Sequence, residues 1–126
     1  MSKTSNGNKN VCPTGWHVPT DAEWTVLTDY LGGESVAGGK MKEVGIENWD
    51  IPNIAATNTS LFSGLPGGNR NLDGSYNYIG TNGDWWSSTE GSTGNAWSRN
   101  LLNGDGDAYR YYSGKRYGFS VRCLRD

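Results

Sequence analysis

The sequence predicts an α+β domain, with two N-terminal helices packed on a small antiparallel β-sheet that carries long loops. Three observations lead there. Helical periodicity is confined to residues 20–44, the second half holds short apolar-aromatic runs bounded by Gly and Asn, and no alternation of helix and strand patterns of the βαβ kind occurs. A chain of 126 residues has room for one domain with a modest core. Residues 1–10 are polar and aperiodic and read as a disordered leader, which leaves 11–126 as the single domain.

The first helix is expected from Asp21 to Leu31. Thr20 stands where it caps the free amides and Glu23, three residues on, returns the bond, while Trp24, Leu27 and Leu31 mark one apolar side and Gly32-Gly33 the stop. A second helix is expected over Ser35–Val44, with Val36, Ala37, Met41 and Val44 on one side. Its Gly38-Gly39 pair costs about 1 kcal/mol per residue relative to Ala, so close packing against a neighbour must favour it. Residues 45–68 read as loop, anchored by Trp49, Ile51, Ile54, Leu61, Phe62 and Leu65.

Beyond that the chain reads as strands. Tyr76–Gly80 and Asp84–Thr89 flank Thr81-Asn82-Gly83, a hairpin signal; Ala96–Leu102 and Ala108–Tyr112 flank a second turn over 103–107. The last strand, Phe119–Leu124, alternates so that Phe119, Val121 and Cys123 face the core.

Composition excludes several classes of function. Leu, Ile, Val and Phe make up only 20 residues, but a net charge of -2 with six Trp and seven Tyr argues against disorder. Nineteen Gly and thirteen Asn make the chain turn-rich. Eleven basic against thirteen acidic residues provide no field for a phosphate backbone, so nucleic acid is not an expected partner. No apolar run is long enough to span a bilayer, so no membrane insertion is expected. Cys12 and Cys123, near opposite ends, are expected to pair in a disulfide, which implies an oxidising location at the cell surface or outside the cell; the alternative is two unrelated buried thiols.

Chemistry finds few residues. His17 is the single histidine and is expected to bond a nearby backbone group; no catalytic residue, metal ligand set or cofactor is expected. Asn103-Gly104-Asp105-Gly106-Asp107 begins like a calcium loop, but Ala108 and Gly114 stand where an EF-hand needs Gly and a carboxylate, so it reads as an exposed turn. Leu65-Pro66-Gly67-Gly68-Asn69-Arg70 lacks a Walker pattern. The suggestive stretch runs from Trp85 to Tyr117. There Ser92, Asn95, Ser98, Arg99, Asn100, Asn103, Asp105, Asp107, Tyr109, Arg110, Tyr111 and Tyr112, with Trp86, have the composition of an antibody-type contact face. These thirteen residues are the candidate ligand-binding set.

Five motifs carry a resemblance. Cys12-Pro13-Thr14-Gly15-Trp16-His17-Val18-Pro19-Thr20-Asp21-Ala22-Glu23-Trp24, Ala37-Gly38-Gly39-Lys40-Met41-Lys42, Leu65-Pro66-Gly67-Gly68 with Arg70, Gly83-Asp84-Trp85-Trp86-Ser87-Ser88-Thr89 and Gly118-Phe119-Ser120-Val121-Arg122-Cys123 follow one another in order. Over residues 11–126 the chain resembles the Fibrobacter succinogenes major paralogous domain family. The resemblance implies a C-type lectin-like fold, similar to formylglycine-generating enzyme and sulfatase-modifying domains, whose catalytic cysteine pair has no counterpart here. It also implies kinship with the variable proteins of diversity-generating retroelements. The expectation is a non-enzymatic, monomeric, surface-displayed domain of lipoprotein or adhesin type that binds a protein or glycan on another surface. A purely structural module and an enzyme of the formylglycine-generating or carbohydrate-active type are the alternatives.

Overall fold

A computed structural model describes residues 11–126; the expected leader over residues 1–10 lies outside the described residues. Helix α1 spans Asp21–Tyr30 and is capped as its sequence requires. Thr20 Oγ1 accepts from the Glu23 amide at 3.1 Å, and the Glu23 carboxylate accepts from the Thr20 amide at 3.0 Å. Gly32 and Gly33, both at φ above +100°, close its end, where the Gly33 amide donates to the Thr28 carbonyl at 2.8 Å.

Helix α2, Glu34–Met41, begins one residue before the expected start and ends three before the expected end. Ala37 and Met41 are fully buried as expected, but Val36 and Val44 are exposed. The glycines make the contact instead. A Cβ on Gly38 would overlap the Asp107 carbonyl, and one on Gly39 the Ala55 carbonyl, so two loop backbones lie directly against this helix.

The main sheet has three antiparallel strands in the order β4(Asn82–Ser92), β5(Asn95–Leu102) and β6(Ala108–Gly114), so the expected hairpin around residues 103–107 forms. The hairpin expected around Asn82-Gly83 does not. Asn82 and Gly83 open β4, opposite Leu102 and Leu101, whereas Tyr76–Asn77 (β3) folds back on Asn69–Arg70 (β2). The chain reverses earlier than expected, at a left-handed Tyr78 (φ +63°) whose carbonyl accepts from the Thr81 and Asn82 amides. Gly83 serves packing, since a Cβ there would strike the Trp85 ring.

Nor is Phe119–Leu124 a strand of the main sheet. Gly118 and Ser120 make single bridges to Arg70 and Trp85, Val121 is exposed, and only Leu124–Arg125 (β7) pairs, with Trp16–His17 (β1). The Cys12–Cys123 disulfide closes this junction of the chain ends, with the two Cα atoms 5.8 Å apart.

The core, built around Trp24, Leu31, Met41, Trp49, Trp85 and Leu101, lies between the helices and one face of the main sheet. Of the loop anchors expected over 45–68, Trp49 is buried and Phe62 half-buried, whereas Ile51, Ile54, Leu61 and Leu65 are exposed. A polar device holds this loop. Lys42, with no exposed surface, donates from Nζ to the carbonyls of Ile54 (2.7 Å), Leu102 (2.8 Å) and Asp105 (2.9 Å). Burial pulls its pKa below the ordinary lysine value, opposed by the charge of Asp105. Trp49 Nε1 donates to the Gly64 carbonyl at 2.9 Å, and Asn53 Nδ2 to those of Glu43 and Gly45. No helix among the described residues is long and apolar enough to cross a membrane.

Replacing Lys42 by Met leaves three inward-facing carbonyls without their donor, at about 1 kcal/mol or more each. The expected loss is about 3 kcal/mol or more in urea unfolding, and a loss under about 1 kcal/mol would show that water substitutes for the ammonium. Joint replacement of Cys12 and Cys123 by Ser, which opens a loop of 111 residues, is expected to lower stability by up to about 4–5 kcal/mol in the same assay.

Candidate ligand-binding face

Residues paired across an antiparallel sheet share a face, so the register sorts the candidate residues. The rows Gly83–Leu101–Ala108, Trp85–Arg99–Arg110 and Trp97–Tyr112 share the face that carries the core residues Trp85, Leu101 and Ala108. The rows Asp84–Asn100–Tyr109, Trp86–Ser98–Tyr111 and Ala96–Ser113 lie on the opposite face. The run Tyr109–Tyr112 is therefore split: Tyr109 and Tyr111 face away from the core, while Arg110 and Tyr112 lie on the other side of the sheet, outside the core cluster, where both are exposed.

On the core side the sequence builds an ionic junction. Asp21, in the first turn of α1, receives Arg99 Nη1 at 2.7 Å and Arg110 Nη2 at 2.7 Å on its two carboxylate oxygens. Arg99 also reaches Thr25 Oγ1 at 3.1 Å, and the Arg110 guanidinium lies 3.5 Å from the centre of the Trp97 ring, against which Tyr112 packs at 4.3 Å. Desolvation pushes the Asp21 carboxyl up, but hydrogen bonds and charges from Arg110 and Arg99 outweigh it and leave it below the usual carboxylate value.

The opposite face is aromatic over a polar floor. The Tyr109 and Tyr111 rings lie 5.8 Å apart and within 10° of parallel. Trp86 stacks on Phe119 at 4.3 Å, and Phe119 on Tyr117 at 6.2 Å. None of these five side chains belongs to the core cluster. Asp84, buried, accepts from Asn100 Nδ2 at 2.6 Å and Asn69 Nδ2 at 3.2 Å. Burial raises its pKa against the pull of these two donors. Tyr109 donates its hydroxyl to Asp105 at 2.6 Å, a bond that pushes the phenol up to about 12.

Three residues of the candidate set are thus not surface groups. Ser98, Arg99 and Asn100 are buried, because β5 is the central strand, and they bond to Tyr111 and Ser113, to Asp21, and to Asp84 respectively. Asn103 ties down the loop by donating to the Asp50 and Ile51 carbonyls, and Asp105 also accepts from the Asp107 amide at 3.0 Å. Ser92 and Asn95 sit at the β4–β5 turn, bonded to each other. Trp86, Tyr109 and Tyr111 are brought to one face. Sequence reasoning missed Tyr117 as a member of that face and assigned Phe119 to the core; the aromatic pair around Gly118 was the available signal. Among the described residues no group of three His, Cys, Asp or Glu side chains comes together as a metal site.

His17 meets side chains where a backbone partner was expected. Its Nδ1 is 2.6 Å from Asp126 Oδ1, and its Nε2 3.0 Å from both Glu23 oxygens. The bonds to Asp126 and then Glu23 raise its pKa.

A family model described as Fibrobacter succinogenes major domain matches residues 1–125. No curated protein and no solved structure matches the chain significantly.

Because the His17 pKa is raised on folding, its stabilising contribution is fully present below about pH 6.5 and is lost as pH rises through the higher folded value. His17→Gln is expected to flatten the stability profile across that window; an unchanged slope would show that the His17 contacts with Asp126 and Glu23 contribute no stability. Asp21→Asn leaves Arg99 buried without its counter-charge and is expected to cost about 3 kcal/mol in urea unfolding.

Proposed function

The chain belongs to the Fibrobacter succinogenes major domain family, and from that premise we propose that it is a non-enzymatic recognition domain that holds its ligand on the sheet face turned away from the helices. The observation that carries this reading is the set of five half-exposed or exposed aromatic side chains, Trp86, Tyr109, Tyr111, Tyr117 and Phe119, on one face and outside the core. Such rings offer a large contact area for little lost side-chain freedom, and the hydrogen-bonded floor beneath them is already formed before a ligand arrives. The ligand is a protein or a glycan on another surface, bound by a monomer.

The chemistry of the chain supports binding over turnover. Both cysteines are spent on their mutual bond, and the single histidine is held between two carboxylates at the junction of the chain ends. The disulfide also supports a surface or extracellular location, where such bonds persist. The paired chain ends, the two helices and the three-stranded sheet are consistent with a C-type lectin-like fold. In the same reading the domain is a variable protein of a diversity-generating retroelement. Diversified positions then fall among the accessible residues Ser92, Asn95, Tyr109 and Tyr111, and not at Arg99 or Asn100; variation concentrated at the two buried positions in sister genes would contradict it.

A glycan array and a pull-down on surface proteins are expected to yield a ligand that Tyr109→Ala with Tyr111→Ala binds at least tenfold more weakly, with little change in melting temperature. Arg110→Ala is expected to show the reverse, lower stability with binding retained below the melting transition. Absence of any ligand in both screens would make the domain a structural module, and loss of fold in the double Tyr variant would show these rings to be core.

A further inference from the structure

The single histidine stands where three elements meet. His17 on β1 lies between Asp126, which follows β7, and Glu23 in the first turn of α1, with Nδ1 2.6 Å from Asp126 Oδ1 and Nε2 3.0 Å from both Glu23 oxygens. These two carboxylates are the charged groups that face the ring. In the β1–β7 register Leu124 pairs with His17 and Arg125 with Trp16, so the Arg125 side chain leaves from the other side of the pair. An imidazolium has two N–H donors and satisfies both carboxylates. A neutral imidazole has one, and its other nitrogen turns a lone pair on a carboxylate.

The two carboxylates are not equally free to leave. Glu23 is held without the ring, because it accepts from the Thr20 amide at 3.0 Å and from Thr20 Oγ1 at 3.2 Å, the capping bonds of α1. The Asp126 side chain is 44 % exposed, and its residue is carried by a strand of two residues and by one amide bond, to the Gly15 carbonyl at 2.9 Å. We propose that His17 is a pH-operated latch: protonated, it fastens the segment after Cys123 to β1 and α1; neutral, it keeps its remaining proton on Nε2 for Glu23 and releases Leu124–Asp126. The disulfide sets the limit of the opening, since Cys123 stays joined to Cys12. The bond to Asp126, then that to Glu23, raises the His17 pKa, so the release falls above the ordinary histidine value and the segment is held below it. The latch involves none of the residues of the Tyr109–Tyr111 face and does not rest on ligand binding there.

The test is amide relaxation of the whole chain below and above the titration of His17, itself followed by the shift of the ring Cε1 proton. With the ring protonated, order parameters at Leu124, Arg125 and Asp126 are expected near about 0.85; with the ring neutral they are expected to fall below about 0.6, while Cys123 and the α1 amides keep theirs. In His17→Gln the order of this segment is expected to be independent of pH. Glu23→Gln retains a side chain suited to the cap and offers Nε2 a donor, so the neutral ring can keep its proton on Nδ1 for Asp126, and the segment is expected to stay ordered on both sides of the titration. Unchanged order in the native chain, loosening of α1 together with β7, a neutral ring with its proton on Nδ1, pH dependence surviving in His17→Gln, or release persisting in Glu23→Gln would each overturn the proposal. Should Glu23→Gln fail to fold, Asp126→Asn takes its place: its amide can accept from the protonated Nδ1 and donate to the neutral one, so the segment must stay ordered at both ends of the titration for the proposal to stand.

Discussion

One buried ammonium group organises the half of this molecule that has no regular secondary structure. Lys42 leaves the end of α2 and places its charge where the carbonyls of Ile54, Leu102 and Asp105 converge, joining the long loop, the end of β5 and the β5–β6 turn at one point. An ammonium in such a place is costly unless its donors are used, and all three are. The glycines at 38 and 39 are part of the same arrangement, since only without side chains does α2 approach the turn and the loop closely enough for the lysine to reach them. Packing of aliphatic residues is accordingly thin, and polar ties replace it.

That substitution explains which features were legible in the sequence. Helix α1 was readable to its cap, because Thr20, Glu23, Trp24 and Gly32 each act locally. The close packing of Gly38-Gly39 was also readable, because a glycine pair inside a helix needs a steric reason. The loop anchors were misread for the opposite cause: the long-range ties from Lys42 and Asn53 have no periodic signature, and without them Ile51, Ile54, Leu61 and Leu65 look like necessary core. The Asn82-Gly83 turn was misread because its signal is local while the deciding contacts, Gly83 against Trp85 and the left-handed Tyr78, are tertiary.

For the candidate face the limit was of another kind. Composition identified the segment but not the side of the sheet on which each residue falls, and period-two alternation divides it. Tyr109 and Tyr111 lie on one side; Arg110 and Tyr112 join the Trp97 and Asp21 cluster on the other. The pairing of β5 between two neighbours turned Ser98, Arg99 and Asn100 into interior groups. Residues of similar chemistry, adjacent in sequence, thus divide between the two sides of the sheet, and Arg110 and Tyr112 stay exposed on theirs.

The junction of the chain ends has a mechanical meaning. Because Cys12 and Cys123 are covalently joined, a tension applied across the two ends runs through that bond and bypasses the helices, the sheet and the loops held between them. A domain wired in this way transmits a pull without being stretched by it, so a surface carried on its sheet would keep its shape under shear for as long as the bridge remains oxidised.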